Sequence, residues 1–237
     1  EVNTQQVLLN ALEKCNAIDI QTPGTSIVAR LKGMDSSRPP VAIRGDIDAL
    51  PITENTGVPF SSKTPGVMHA CGHDVHATWA IGAARLLSQA PAQSDVILIL
   101  QQAEELATGA KFLMDSGALP SDIQAIFGAH VDRRYDVGKV VCHQGAISSH
   151  SDKFAIEITG VSAHAARPKE GVNPIPVLGQ ITMKINELMV TIGDDTNLIT
   201  ATMVSGGGTH AAIGRARRWW SMSRSEEHTS ELQSPCN

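Results

Sequence analysis

Five consecutive apolar residues, Val96-Ile97-Leu98-Ile99-Leu100, constrain this chain more than any other feature. A strand without a polar side chain in that span has no face to turn to water, so it belongs inside a sheet covered on both sides. Similar runs lie at Ser26–Leu31, Val41–Arg44 and Ile123–Phe127. Between and before them, apolar residues recur at helical spacing: Val7, Leu8, Ala11 and Leu12 in one stretch, then Ala77, Ile81, Ala84 and Leu87 after a potential Asp74 cap. A further helix is expected from Gly109 to Ser116, closed by Gly117. Strands alternating with helices predict the α/β class, a mostly parallel sheet flanked by helices.

Composition narrows the partners. A net charge of −5 and a pI near 6.0 argue against nucleic acid, which selects a basic surface. The apolar runs are too short to span a bilayer, and no charged-then-apolar leader opens the chain, which begins at Glu1. Cys15, Cys71, Cys142 and Cys236 are spread over the whole length and do not form a disulfide framework. A reducing, cytoplasmic location is therefore expected.

Where the predicted strands end, chemistry-bearing residues begin. Asp46 and Asp48 follow the second run, Glu104 and Glu105 the third, and His130 the fourth. Ligands of open α/β sheets bind beyond the carboxyl ends of the strands, so these residues are expected on one rim. Met68-His-Ala-Cys-Gly-His-Asp74 adds a thiol and an imidazole around a glycine, donor types that borderline divalent metals prefer. Each has an ordinary alternative. Cys71 could be a small buried apolar residue, Glu104-Glu105 a solvated acidic loop, and His130 a hydrogen-bonded core histidine. In an extended segment the two adjacent carboxylates would point in opposite directions, one toward a metal and one toward a substrate water. Flanking His69 and Asp74 could orient the His73 ring. His76 and His143 carry no distinguishing signal and are read as surface or structural.

From Lys153 the pattern changes. Phe154–Gly160 alternates apolar and polar, as a strand with one wet face does. His164 lies in the loop that follows; Asn173-Pro174 opens a helix reaching about Met189, and Leu198–Val204 is a further strand. A small α+β domain is thus expected over residues 149–214, behind a first domain at 1–148. Residues 215–237 show no period of either kind, and Arg224–Ser234 resembles the translation of a common sequencing adapter. They are expected not to belong to the natural protein.

Together Arg44-Gly-Asp-Ile-Asp-Ala-Leu-Pro51, Met68–Asp74, Gln102-Ala-Glu-Glu105 and Gly128-Ala-His-Val131 resemble the successive motifs of the aminoacylase/carboxypeptidase-type metallopeptidases. Within that family they are most similar to the amidohydrolase branch of hippurate hydrolases, auxin-conjugate hydrolases and N-acetyl-diaminopimelate deacetylases. Gly160–Pro168 resembles the motif of the family's lid domain. The resemblance implies a zinc-exopeptidase-like catalytic domain carrying an inserted ferredoxin-like lid and dimerisation domain. It implies that Cys71, His73, Glu105 and His130 are metal ligands for Mn²⁺ or Zn²⁺, with a two-metal site in the complete protein. Glu104 would be the general base that activates water and protonates the leaving amine, Asp48 a supporting carboxylate, and His164 an oxyanion stabiliser often supplied by the partner of a dimer. The implied reaction is hydrolysis of small N-acyl amino acids, such as N-acetyl compounds, by a homodimer or higher homo-oligomer.

The family's catalytic domain resumes after the lid with a second half and one more histidine ligand. This sequence carries no such half, and His210 and His228 do not replace that histidine. A metallo-exopeptidase of the same clan, cutting dipeptides or C-terminal residues, is the alternative within enzymes. An inactive fragment serving as a metal-binding or dimerisation module is the alternative outside them.

Overall fold

A computed structural model describes residues 1–142, 144, 150–164, 166–192, 197–206 and 215–224. The chain divides into two compact units, Glu1–Gly138 and Lys139–Asn237.

The first unit is a sheet between helices. Helix α1 (Val2–Leu12) leads to β1 (Ile18–Gln21), β2 (Ile27–Leu31) and β3 (Val41–Asp46), then α2 (His73–Gln89), β4 (Val96–Gln101), α3 (Gly109–Asp115) and β5 (Ile126–Gly128). The strand order is β1-β2-β4-β3-β5. Strands β4, β3 and β5 run parallel, whereas β1–β2 and β2–β4 are antiparallel. The α/β class is as expected, but the sheet is mixed, because β2 runs antiparallel to β4 and β1, which the sequence did not announce, forms a hairpin with β2 at one edge.

Strand β4 sits at the centre and all six of its residues are buried. Its alternate side chains feed two cores. Val96, Leu98 and Leu100 join Ile27, Ala29 and Leu31 of β2 beneath α1 and α2, with Leu8, Leu12, Ala77, Ala80 and Ala84 above them. Ile97 and Ile99 point the other way, to Val28, Ala42 and Leu113 of α3. The period-2 alternation of a strand thus divides an all-apolar run between two helical layers. Strand β5 differs from expectation: it is three residues long, lies at the sheet edge, and leaves Ile126 and Phe127 exposed.

Helix α2 is capped two residues earlier than the expected Asp74. Gly72 occupies the cap position with φ 86°, and Asp74 falls in the first turn, where its charge complements the helix dipole. Gly45 of β3 lets this helix approach closely: a Cβ there would lie 2.7 Å from the His76 carbonyl oxygen. These two glycines set the depth at which α2 delivers its histidines.

In the second unit, β6 (His150–Thr159), α4 (Pro174–Ile192), β7 (Asn197–Gly206) and β8 (Arg215–Arg224) form an antiparallel sheet of order β6-β8-β7. With β8 between the strands that α4 connects, this is a split β-α-β unit. Phe154, Ile156 and Ile158 face Leu178, Ile181 and Ile185 of α4, while Ala155, Glu157 and Thr159 are exposed, as their alternation predicts. The Asn173 side chain accepts the Ile175 N–H at 3.0 Å, the expected cap. Arg215–Arg224, set aside with the tail on sequence grounds, forms the central strand. Ladder hydrogen bonds come from the backbone and do not need an alternating side-chain pattern, which explains why periodicity missed it. Residues 225–237, with His143, His210 and His228, lie outside the described residues. No described helix is long and apolar enough to cross a membrane.

Candidate metal centre

The parallel strands point their carboxyl ends at one rim, and the first unit gathers its unusual residues there. Asp46 ends β3, and Asp48 follows two residues on; both are buried. His73 is the first residue of α2 and is 1% exposed. Its Nδ1 lies 3.0 Å from Asp48 Oδ1 and 3.0 Å from the Asp48 carbonyl oxygen. Nδ1 therefore carries a proton and donates it, which turns Nε2 toward the rim. Asp48 is the group that orients this ring; Asp74, suggested for that task by sequence, is exposed on the first turn of α2.

Glu104 and Glu105 do not lie in an extended segment. Ala103 takes a positive φ of 48° and a turn follows, closed by the Ala107 N–H to the Glu104 carbonyl at 2.7 Å. The turn sends both carboxylates to the same place. Glu104 Oε2 is 3.8 Å and Glu105 Oε1 3.9 Å from His73 Nε2. The second oxygen of Asp48 accepts the Glu105 N–H at 3.0 Å, so one carboxylate holds both the histidine and the glutamate loop. Cys71 Sγ completes the cluster, 3.4 Å from His130 Nε2. His164 belongs to the second unit, on an exposed turn where its Nδ1 accepts the Ala166 N–H at 3.1 Å.

Electrostatics mark the cluster as unbalanced. Burial, a hydrogen bond to Glu105 and the charges of Glu105, Glu104 and Asp46 push the Cys71 thiol up to about 11. Burial also acts to raise Asp46, but its bond to His76 and the charges of Arg44, His73 and His76 together hold it below the ordinary carboxylate range. Carboxylates, a thiol and imidazoles gathered this closely favour a cation among them.

Donor atoms are also left over. Among the described residues, His73 Nε2, Glu105 Oε1 and His69 Nδ1 are buried without a hydrogen-bond partner. The first two face the same space, and an unpaired buried polar atom is costly. In three groups among the described residues the ligand atoms, one per residue, lie within 4.8 Å of one another: Cys71-His73-His130, His73-Glu104-Glu105 and Asp46-His73-His76. The first two share His73, and their mixture of thiol, imidazole and carboxylate suits a borderline divalent cation. The residues present therefore fit a metal.

His76 is the residue that sequence reading overlooked. Far from the surface, it is 1% exposed, with Nδ1 2.6 Å from Asp46 Oδ1. Burial, helped by His130 and His73, lowers its pKa despite the opposing bond to Asp46. The available signal was spacing: His76 follows His73 by one helical turn and shares its face with Ala77, Ala80 and Ala84.

A mixed α/β sheet whose strand ends collect a thiol, imidazoles and carboxylates around unpaired donor atoms defines an α/β protein built around a metal site. The chain belongs to peptidase family M20/M25/M40, whose pattern matches residues 42–223. It is 40% identical over 185 residues to an N-acetylcysteine deacetylase of Bacillus subtilis (strain 168), covering 76% of this chain and 48% of that protein. It is 35% identical over 218 residues to the IAA-amino acid hydrolase ILR1-like 2 of Arabidopsis thaliana, covering 90% and 49%. Among solved structures, the Bacillus subtilis YXEP protein, a dinuclear metal binding peptidase from the M20 family, superposes with a TM-score of 0.70 at 33% identity. The match covers 96% of this chain and 59% of that one. The chain thus spans about half the length of the curated relatives it matches.

Proposed function

We propose that this chain carries the metal-binding part of an amidohydrolase that cleaves N-acyl amino acids to a carboxylate and a free amine. The observation that carries the reading is the convergence on His73 Nε2, with Glu104 and Glu105 oxygens 3.8 and 3.9 Å away and Cys71–His130 alongside. Relatives named as a deacetylase and an amino acid-conjugate hydrolase support the substrate class. Cys71, His73, Glu105 and His130 would hold Mn²⁺ or Zn²⁺. Either ion, when bound, supplies Lewis-acid chemistry toward the amide and water at neutral pH.

The remaining work falls to the chain itself. Asp48 keeps the His73 tautomer that leaves Nε2 free. Glu104, more exposed than Glu105 (41% against 27% of the side chain), takes the proton from the attacking water and returns it to the leaving amine. His164 is assigned to the oxyanion of the tetrahedral intermediate, a task the family resemblance gives to the partner of a dimer. The functional form is a homodimer or higher homo-oligomer in a reducing cytoplasm, where Cys71 stays available as a thiol.

A peptidase reading draws only on the family's name and on the description of the neighbouring structure. Metal stoichiometry after Mn²⁺ or Zn²⁺ loading, beside Cys71→Ala, tests the centre. Hydrolysis of N-acetyl amino acids against dipeptides on the same samples tests the substrate class. Metal bound by the parent and lost in the variant, with preference for N-acetyl compounds, is the expected result. Equal metal in both samples would remove Cys71 from the site, and preference for dipeptides would favour the peptidase.

A further inference from the structure

The Asp46-His73-His76 group has metal-like spacing, all three residues buried, yet its hydrogen bonds assign His76 another task. His76 Nδ1–H donates to Asp46 Oδ1 at 2.6 Å, and the other Asp46 oxygen accepts Arg44 Nη1 at 2.7 Å. On the far side of the ring, His76 Nε2 accepts the Val131 N–H at 3.0 Å. Both ring nitrogens are committed to the protein, so no lone pair remains for a cation. A continuous path results: Arg44 and Asp46 on β3, His76 on α2, then the backbone of the residue after His130.

That backbone needs an anchor. Strand β5 is a three-residue edge strand with all three residues exposed, and His130 itself is exposed. The His76 and His130 rings meet edge-on at 4.5 Å between centroids. Val131 is also seated against Gly72, where an added Cβ would lie 2.4 Å from Val131 Cγ2. Cys71 and the residue after His130 are thus brought together beside the His76 ring.

We propose that the Asp46–His76 pair is a positioning device that sets His130 against Cys71 by gripping the Val131 N–H. The assignment rests on the metal reading above. Asp46 fixes the proton on Nδ1, and this makes Nε2 a permanent acceptor for the loop. The pair acts through His130.

Two polar substitutions separate the halves of the grip. His76→Gln places a carbonyl oxygen near the Nε2 position and keeps an acceptor for Val131. His76→Asn keeps a donor toward Asp46 but ends short of Val131. The probe is Co²⁺ alone, titrated into the whole chain and followed by the thiolate-to-cobalt absorption of Cys71, with circular dichroism reporting the fold. Wild type is expected to show the band. His76→Asn should shift the titration midpoint upward by roughly tenfold or more, with His76→Gln recovering most of it. A purely structural role would lower both melting temperatures and leave both midpoints in place, and that result overturns the proposal, as does an equal shift in the two variants. Absence of the band in wild type would bring down the metal reading, and this proposal with it. Hydrogen exchange at Val131 in the unsubstituted apo protein needs no variant: protection supports the grip, and exchange at the rate of the open loop refutes it.

Discussion

Cys71 is a thiol held near carboxylates, and the consequence is a specific pH dependence. Burial, then the Glu105 hydrogen bond and charge, keep it protonated up to about 11. A divalent cation must displace that proton, so binding should release about one proton per Cys71-bound ion at neutral pH. Affinity should also rise roughly tenfold per pH unit on this account while the thiol remains the protonated form. Calorimetric titrations in buffers of different ionisation enthalpy measure the release, and Cys71→Ala should abolish it. Glu104 makes a contrasting prediction. Glu104→Gln should retain the metal while turnover of N-acetyl amino acids falls by about 10²–10⁴-fold, the usual range for a general base. Metal analysis beside the assay separates that from a lost ligand. Residue types and motif spacing brought Cys71, His73, Glu104, Glu105 and His130 to attention before any coordinates. His76 escaped because one histidine on an otherwise apolar helix face has many uses, and only the positions of Asp46 and Val131 select among them.

Elements show where local pattern suffices. Strand β4 was legible because an all-apolar run has a single stable environment, and Leu98, 0% exposed, should lose about 2–5 kcal/mol on truncation to Ala, measurable by urea denaturation. The residue before β4 tells a different story. Asp95 accepts the Gly33 N–H at 2.9 Å, Arg30 Nη1 at 2.9 Å and the Ser36 hydroxyl at 2.8 Å, tying the β2–β3 connection to the start of β4. Burial opposes its ionisation, but these bonds outweigh it and lower its pKa. A lowered carboxylate pKa stabilises the fold above the unfolded value, about 3.9, and that contribution is lost as the pH falls below it. Asp95→Asn should therefore cost about 1–3 kcal/mol at pH 7, and the gap to wild type should close on acidification below about pH 3.9. Strand β1 and the edge position of β5 were not legible, since short strands are placed by their neighbours rather than by their own periodicity.

At the scale of the molecule, the metal and the fold of the first unit are linked. A cation that binds only the folded state at about one hundred times its dissociation constant adds about 2.7 kcal/mol of stability. Chelation should therefore speed hydrogen exchange at the β4 amides, and Mn²⁺ or Zn²⁺ should restore protection in the parent but not in Cys71→Ala. The second unit shows how far pattern reading extends. The alternation at Phe154, Ile156 and Ile158 and the Asn173 cap describe its helix and first strand correctly. The Arg215–Arg224 strand has no such alternation and appears only through its pairing with β6 and β7.

Hydrophobic periodicity by itself determined the α/β class and the two-sided burial of the central strand, because burying apolar faces admits few layer arrangements. Motif spacing by itself determined which side chains deserve attention and which family the chain resembles. Only the tertiary structure decided that Glu104 and Glu105 turn toward one atom, that Asp48 serves His73 and the glutamate loop together, and that His76 holds the His130 segment. Those outcomes depend on a turn with positive φ, on a helix seated against Gly45, and on hydrogen bonds between residues 25 to 57 positions apart, none of which a local pattern encodes.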